Sequence, residues 1–263
     1  MSIASRTLCS GAMLALAVSL SAASARAQEP ARQPPPAAQP AADVEPEALA
    51  ALKRMSAYLA TLSNFEVRAD TTRDLVTTDG VRVQIGGVSN YKVRRPNAFQ
   101  IDVSTDMRDR RFYYDGKQFT VYSPKLGYYA TAAAPPTILQ TIAVLENRYG
   151  IELPLEDLFR WNDPTSGQAE ELSSGFLVGT AMIDGVATDH FAFRGKNQRD
   201  WQIWIQQGAQ PLPRKLVIVD RSDEARPAYV AQLSWNLNPV FAADAFTFRP
   251  GPGAKAIHIA TLE

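Results

Sequence analysis

Hydrophobic positions change their spacing several times along the chain, and each change marks a different element. Leu8 to Ala23 is an apolar stretch preceded by Arg6 and followed by Ala25-Arg26-Ala27, the small-x-small form of a signal-peptidase site. Ser19, Ser21 and Ser24 interrupt the stretch and make it a poor membrane anchor, so residues 1–27 read as a cleaved signal peptide. Residues 28–43 hold Pro30, Pro34, Pro35, Pro36 and Pro40 among Ala and Gln, and read as an extended, solvated linker. The remainder, 44–263, reads as one domain.

Within that domain a helix is expected after Pro46, because Leu49, Leu52, Met55, Leu59 and Leu62 recur at steps of three and four. From Phe65 to Tyr129 the period falls to two. Val81, Val83 and Ile85 form one run, Tyr91 and Val93 a second, Phe99, Ile101 and Val103 a third, Phe119 and Val121 a fourth. Asp79-Gly80 and Asp115-Gly116 stand between such runs as hairpin turns, since Gly tolerates the positive φ that tight turns demand. Ile138, Leu139, Ile142 and Leu145 share a helical face after Pro135-Pro136, ending at Gly150. A short helix is expected from Pro154 through Leu158 and Phe159 to Trp161, closed by a loop at Asp163-Pro164 and Ser166-Gly167. Strands then return over 176–183, 187–194, 201–206, 214–219 and 229–235, with Asp184-Gly185 as a third hairpin turn. No fixed repeat links the two halves.

Several of these strands are apolar on both faces. Leu216 and Ile218 oppose Val217 and Val219, and Trp204 opposes Trp201, Ile203 and Ile205. A sheet with one solvated face does not explain this, so a cover is required, and the three helices are the available material. The expectation is an α+β fold, a curved antiparallel sheet covered by helices and able to enclose a cavity. Phe112, Tyr113, Tyr114, Tyr122, Tyr128 and Tyr129 are expected around its mouth.

Charge and composition narrow the chemistry. The chain carries 27 basic and 27 acidic residues, and loss of Arg6 and Arg26 with the signal leaves a slightly acidic balance, with no pull toward nucleic acid. The one cysteine, Cys9, lies inside the signal, which excludes thiolate and disulfide chemistry from the remainder. HExxH, GxSxG and P-loop motifs are absent, and two histidines without cysteine make a poor transition-metal set. Glu156-Asp157, Glu170-Glu171 and Asp223-Glu224 read as helix-start and loop carboxylates, so no catalytic residue, metal or cofactor is expected. His190 follows Asp189, whose carboxylate is expected to raise its pKa. His258 falls near a last edge strand. Lys92, Arg94, Arg95, Arg108, Arg110 and Arg111 form either an anion patch or, with Glu66, Asp102, Asp106 and Asp109, a neutralised surface.

The order of helix, meander, helices and second meander resembles the lipoprotein-carrier fold of LolA and LolB type proteins. The segments VRRPNAFQIDV, RRFYYDGKQFTVYSP, YYATAAAPPTI and DWQIWIQQGAQPLPRKLVIV resemble more closely a family of predicted periplasmic proteins sharing that fold, over most of residues 45–250. The resemblance implies a LolA/LolB-like half-barrel whose cavity takes acyl chains or another hydrophobic ligand, with no enzymatic activity. Candidate cavity residues are Val93, Phe99, Ile101, Phe112, Phe119, Trp201, Ile203 and Trp204. Carriers of the LolA kind hold their lid helices with an arginine, a role the resemblance offers to Arg95 or Arg111 at the mouth. The expected partner is a hydrophobic or lipid-like ligand in the periplasm. An envelope protein bound through the sheet by strand addition or a groove is the alternative, and no transmembrane segment is expected after the signal.

Overall fold

In a computed structural model the described residues are 43–160 and 171–262. The expected signal peptide and nearly all of the linker lie outside them, as do Trp161, Asp163-Pro164, Ser166-Gly167 and Glu170.

The chain begins with α1 (Pro46–Thr61), followed by a meander of β1 (Asn64–Val76), β2 (Arg82–Arg94), β3 (Ala98–Thr105), β4 (Asp109–Tyr114), β5 (Gln118–Ser123) and β6 (Tyr128–Ala133). Two helices come next, α2 (Ile138–Tyr149) and α3 (Asp157–Arg160). The second meander is β7 (Leu172–Ile183), β8 (Val186–Gly195), β9 (Arg199–Gln206), β10 (Pro213–Asp220) and β11 (Ala228–Asn236), and β12 (Lys255–Ala256) ends the series. The twelve strands among the described residues belong to one sheet in the order β12-β6-β5-β4-β3-β2-β1-β11-β10-β9-β8-β7. The sheet is curved and unclosed, and antiparallel except where β12 runs parallel to β6.

The two meanders become one sheet because β1 pairs on both sides. It meets β2 along its full length and β11 from Glu66 opposite Asn236 to Arg73 opposite Tyr229. Hairpin turns fall where the Asp-Gly dipeptides place them, with Gly80 at φ 83°, Gly116 at φ 91°, and Asp184 and Gly185 both at positive φ. The two runs expected around Val83 and Tyr91 are one strand, β2. Gly86 and Gly87 break the hydrophobic alternation there, and a side chain at Gly87 would collide with Thr105 and the Ser104 carbonyl, so the chain passes too closely for any larger residue.

Helix boundaries follow local chemistry. The Thr137 side chain caps α2 by accepting from the Gln140 N–H, and Gly150 ends it in the left-handed conformation at φ 61°. The inward face of α1 is Ala48, Ala51, Met55 and Leu59, with Leu52 partly buried; Leu49 from the expected stripe stays half-buried. The third helix is shorter than expected, starting at Asp157 because Leu155 sits at φ 49°, outside helical conformation.

One face of the sheet holds the core. Phe65, Val67 and Ala69 of β1, Tyr91 and Val93 of β2, Phe99 and Ile101 of β3, and Phe112 and Tyr114 of β4 are buried under the helices. On the far side, Phe191 and Phe193 of β8, Ile203 and Ile205 of β9, Leu216 of β10 and Leu233 of β11 continue the same surface.

The opposite face is partly covered by a segment with no helix or strand signal. Phe248, beyond β11, lies 5.3 Å from Tyr113, 5.3 Å from Tyr122 and 5.0 Å from Tyr129, and the Arg94 guanidinium sits 4.7 Å over the Phe246 ring. These tyrosines therefore do not line a mouth beside Phe112 and Tyr114. Strand alternation sends them to the other side of the sheet, where the C-terminal segment shields them. His258 lies just beyond β12.

His190 is on that opposite face too. Its ring stacks on Trp204 at 3.9 Å, and Nε2 lies 3.0 Å from the Gln202 amide oxygen, while Asp189 accepts from Gln207. The expected rise in its pKa is reversed: desolvation lowers it, the Gln202 contact opposes this, and Lys215 adds to the lowering. Adjacent residues of a strand point to opposite faces, which is why Asp189 has no hold on His190.

Two measurements check this architecture. Phe99 contacts Tyr114, Phe119 and Phe159 at centroid separations of 5.3, 6.3 and 6.2 Å. Phe99→Ala is expected to lower urea-unfolding stability by about 3–5 kcal/mol. For His190, the unfolded chain takes up a proton more readily than the folded one. Stability should be full above the ordinary histidine pKa of about 6.5 and fall as pH drops from there toward the lowered folded value. His190→Asn is expected to flatten that part of the unfolding midpoint's pH profile between about pH 7.5 and 5.5.

Candidate functional site

Seven of the eight expected cavity residues share one face. Val93, Phe99 and Ile101 are fully buried, Phe112 and Phe119 nearly so, and all five lie on β2–β5. Ile203 is buried on β9 of the same face, and Trp201 packs against that core and stacks on Phe193 at 4.3 Å. Trp204 departs from the group. It stands on the opposite face between His190 and Lys215, whose Nζ lies 4.8 Å from the ring centroid. The cause is the two-residue period of β9, which turns residue 204 away from 203.

The buried wall meets the protein's own side chains. Ile138, Ile142 and Leu145 of α2, Leu158 and Phe159 of α3, and Met55 and Leu59 of α1 complete the same cluster. Phe159 approaches Phe99 at 6.2 Å. In this conformation the part of the face under the helices is sealed, with Val93, Phe99 and Ile101 at 0% exposure.

Polar groups from the sheet reach across to the backbone of the cover. The Tyr91 hydroxyl donates to the Pro154 carbonyl at 3.1 Å, and the Tyr114 hydroxyl donates to the Pro135 carbonyl at 2.6 Å. Arg95 Nη2 donates to the Leu158 carbonyl at 3.4 Å, long for such a bond. At the edge, the Ile138 N–H donates to the Pro96 carbonyl after the cis Arg95–Pro96 peptide. Between the helices, Arg160 lies 2.5 Å from Glu146 of α2 and 3.3 Å from Glu156. Each tether of this kind contributes on the order of 1 kcal/mol.

The two arginines assigned to the mouth separate. Arg95 turns inward, with its guanidinium 5.8 Å from the Phe65 centroid and 6.0 Å from the Phe159 centroid. Its Nε is buried without a hydrogen-bond partner, and burial lowers its pKa from the ordinary value. Arg111 is on the opposite face, 3.8 Å from Asp102 and beside Tyr113, because its neighbour Phe112 points inward. The basic group is thus divided by the sheet: alternation puts Lys92, Arg94 and Arg111 on one side and Arg95 and Arg110 on the other, with Arg108 in a turn.

Sequence reading left Tyr91 and Phe159 out of the site and put Tyr114 at its mouth, whereas all three are fully buried at the seam between sheet and cover. Tyr91 and Tyr114 carry the strand alternation that pointed to Val93 and Phe112, so the signal was present. Among the described residues, no group of three or more His, Cys, Asp and Glu is placed to hold a metal ion. Nor is any helix there long and apolar enough to cross a membrane.

Solved structures show distant likenesses. The lipoprotein LppX of Mycobacterium tuberculosis shares 17% identity, with 75% of this chain and 98% of that one covered at a TM-score of 0.47. LprF from Mycobacterium bovis shares 14%, covering 78% and 100% at 0.46. A LolA superfamily protein from Nitrosomonas europaea shares 13%, covering 76% and 97% at 0.38. No functionally curated protein matches the sequence. A family model described as "Predicted periplasmic protein (DUF2092)" matches residues 48–260, nearly the whole of the described domain, and the chain belongs to that family.

Proposed function

We propose that the protein is a periplasmic carrier or binding protein for a hydrophobic or lipid-like ligand, with residues 1–27 serving as a cleaved signal and 44–263 as the carrier domain. One observation supports this reading above the rest. The core face of the sheet is closed by segments 135–160 through side-chain packing and a few bonds to carbonyl oxygens, with no strand pairing across the contact among the described residues. A cover joined in this way can be exchanged for another apolar surface. An acyl chain that takes the place of the α2 and α3 side chains recovers burial at about 25 cal/mol per Å².

Arg95 is suited to work as the latch of such a cover. It spends a charged side chain on one long bond to α3 beside two aromatic rings, so it adds little to the hold that apolar burial gives the cover. Val93, Phe99, Ile101, Phe112, Phe119 and Ile203 form the wall in this reading, and Trp204 is left out.

A second reading, a protein partner docked on the sheet, has one specific observation in its favour. β7 is an edge strand without a charged residue or proline, and Phe176 and Val178 on it are 48% and 50% exposed. In-cell crosslinking to a discrete protein, together with an interior that takes up no chain, would favour this alternative.

Mass spectrometry of lipid extracted from protein purified from the periplasm is expected to find a bound chain. Addition of a saturating fatty acid should speed amide exchange in α2 and α3 and leave β1, β2 and β11 unchanged. No extracted ligand and no uptake of a fluorescent fatty acid would overturn the carrier reading.

A further inference from the structure

Beyond the helices, the core face of the sheet continues toward the β1–β2 turn. Leu75 and Val83 are direct cross-strand partners there, 40% and 39% exposed, and Ile85 precedes them on the same face. The apolar surface therefore runs out from under its cover into solvent.

Where covered and open parts meet, two polar groups face each other. Tyr229 of β11 pairs directly with Arg73 of β1, and Arg73 pairs on its other side with Ile85. Tyr229 packs against the core, yet its hydroxyl is buried without a hydrogen-bond partner. Burial raises its pKa and the Arg73 charge acts in the opposite sense, so it remains a protonated donor at ordinary pH.

Arg73 is one of the sheet arginines that form no ion pair among the described residues. Arg68 is matched with Asp70, Arg82 with Asp74 and Arg111 with Asp102. Among the described residues no carboxylate pairs with Arg73. Asp74, next in sequence, points to the other face, where it accepts from the Ala228 N–H and lies near Arg82. An exposed guanidinium and a buried hydroxyl without a partner thus stand opposite each other on adjacent strands, beside apolar side chains, and present donors and positive charge with no acceptor among the described residues.

We infer that Arg73 and Tyr229 form a headgroup site, and that the ligand is an anionic amphiphile whose carboxylate or phosphate is held there while its chain lies under the helices. This inference rests on the carrier reading. The guanidinium supplies charge and paired donors, the hydroxyl supplies a third donor, and Ile85 opposite Arg73 and Ile218 opposite Tyr229 flank the head end of the chain.

Three probes sharing one dansyl-labelled undecyl chain test it, ending in a carboxylate, a phosphate monoester or a hydroxyl. Fluorescence titration of the full chain is expected to give at least tenfold tighter binding for one or both anions than for the alcohol. The tighter anion identifies the headgroup class. Arg73→Gln should bring that ratio close to one, and an unchanged far-ultraviolet circular dichroism spectrum reports an intact fold. Tyr229→Phe, which keeps the ring, should remove part of the preference. Equal affinities for anion and alcohol in the unaltered protein, or a ratio that survives Arg73→Gln, would overturn the headgroup site and leave the carrier reading standing. Failure of all three probes to bind would overturn both.

Discussion

A sheet that is apolar on one face and does not close on itself must find something else to cover that face, and every other feature of this protein answers to that need. Closure into a barrel would bury the face against itself. A second sheet would bury it in a sandwich. Here the cover is made of three separate helices, one before the first meander and two between the meanders. The burial is thorough, as the near-zero exposure of Tyr91, Val93, Phe99 and Ile101 shows. The helices are held to the sheet by side-chain contact and a few hydrogen bonds, whereas strand against strand is held by a ladder of backbone hydrogen bonds.

The polar groups at the seam make sense in the same terms. Tyr91 and Tyr114 extend aromatic bodies into the core and place a hydroxyl at its boundary, so each adds apolar area and one directed bond. Arg95 is the exception, a cation brought among aromatic rings with an unpartnered Nε. A leucine there would hold the helix on more firmly, and the arginine is consistent with a cover meant to come off. On the reverse face the C-terminal segment packs over the sheet, with Phe248 against Tyr113, Tyr122 and Tyr129 and Phe246 under the Arg94 guanidinium, and β12 pairs with the β6 edge.

Much of this was legible in the residues. Alternation and the Asp-Gly turns gave most of the strands, and Thr137 and Gly150 bounded α2, because those signals are local. Alternation also held the placement of Trp204 and Arg111, since each adjoins an inward residue. Pairing between β1 and β11 was not legible, because Arg73 and Tyr229 are far apart in sequence and only register brings them together. The C-terminal cover gave no periodic signal, since Phe246 and Phe248 sit among Pro and Gly without a helix or strand of their own. Gly86-Gly87 hid the continuity of β2 by removing side chains where the chain must pass closely.

The central claim is that the cover leaves the sheet when a chain enters. It is tested most directly by electron–electron distance measurement between spin labels at Asn147→Cys on α2 and Arg68→Cys on the reverse face of β1, both exposed, in protein without residues 1–27, which has no other thiol. A single narrow distance distribution is predicted for the free protein, moving to longer and broader values when palmitate is bound to saturation. An unchanged distribution with palmitate demonstrably bound would contradict the account.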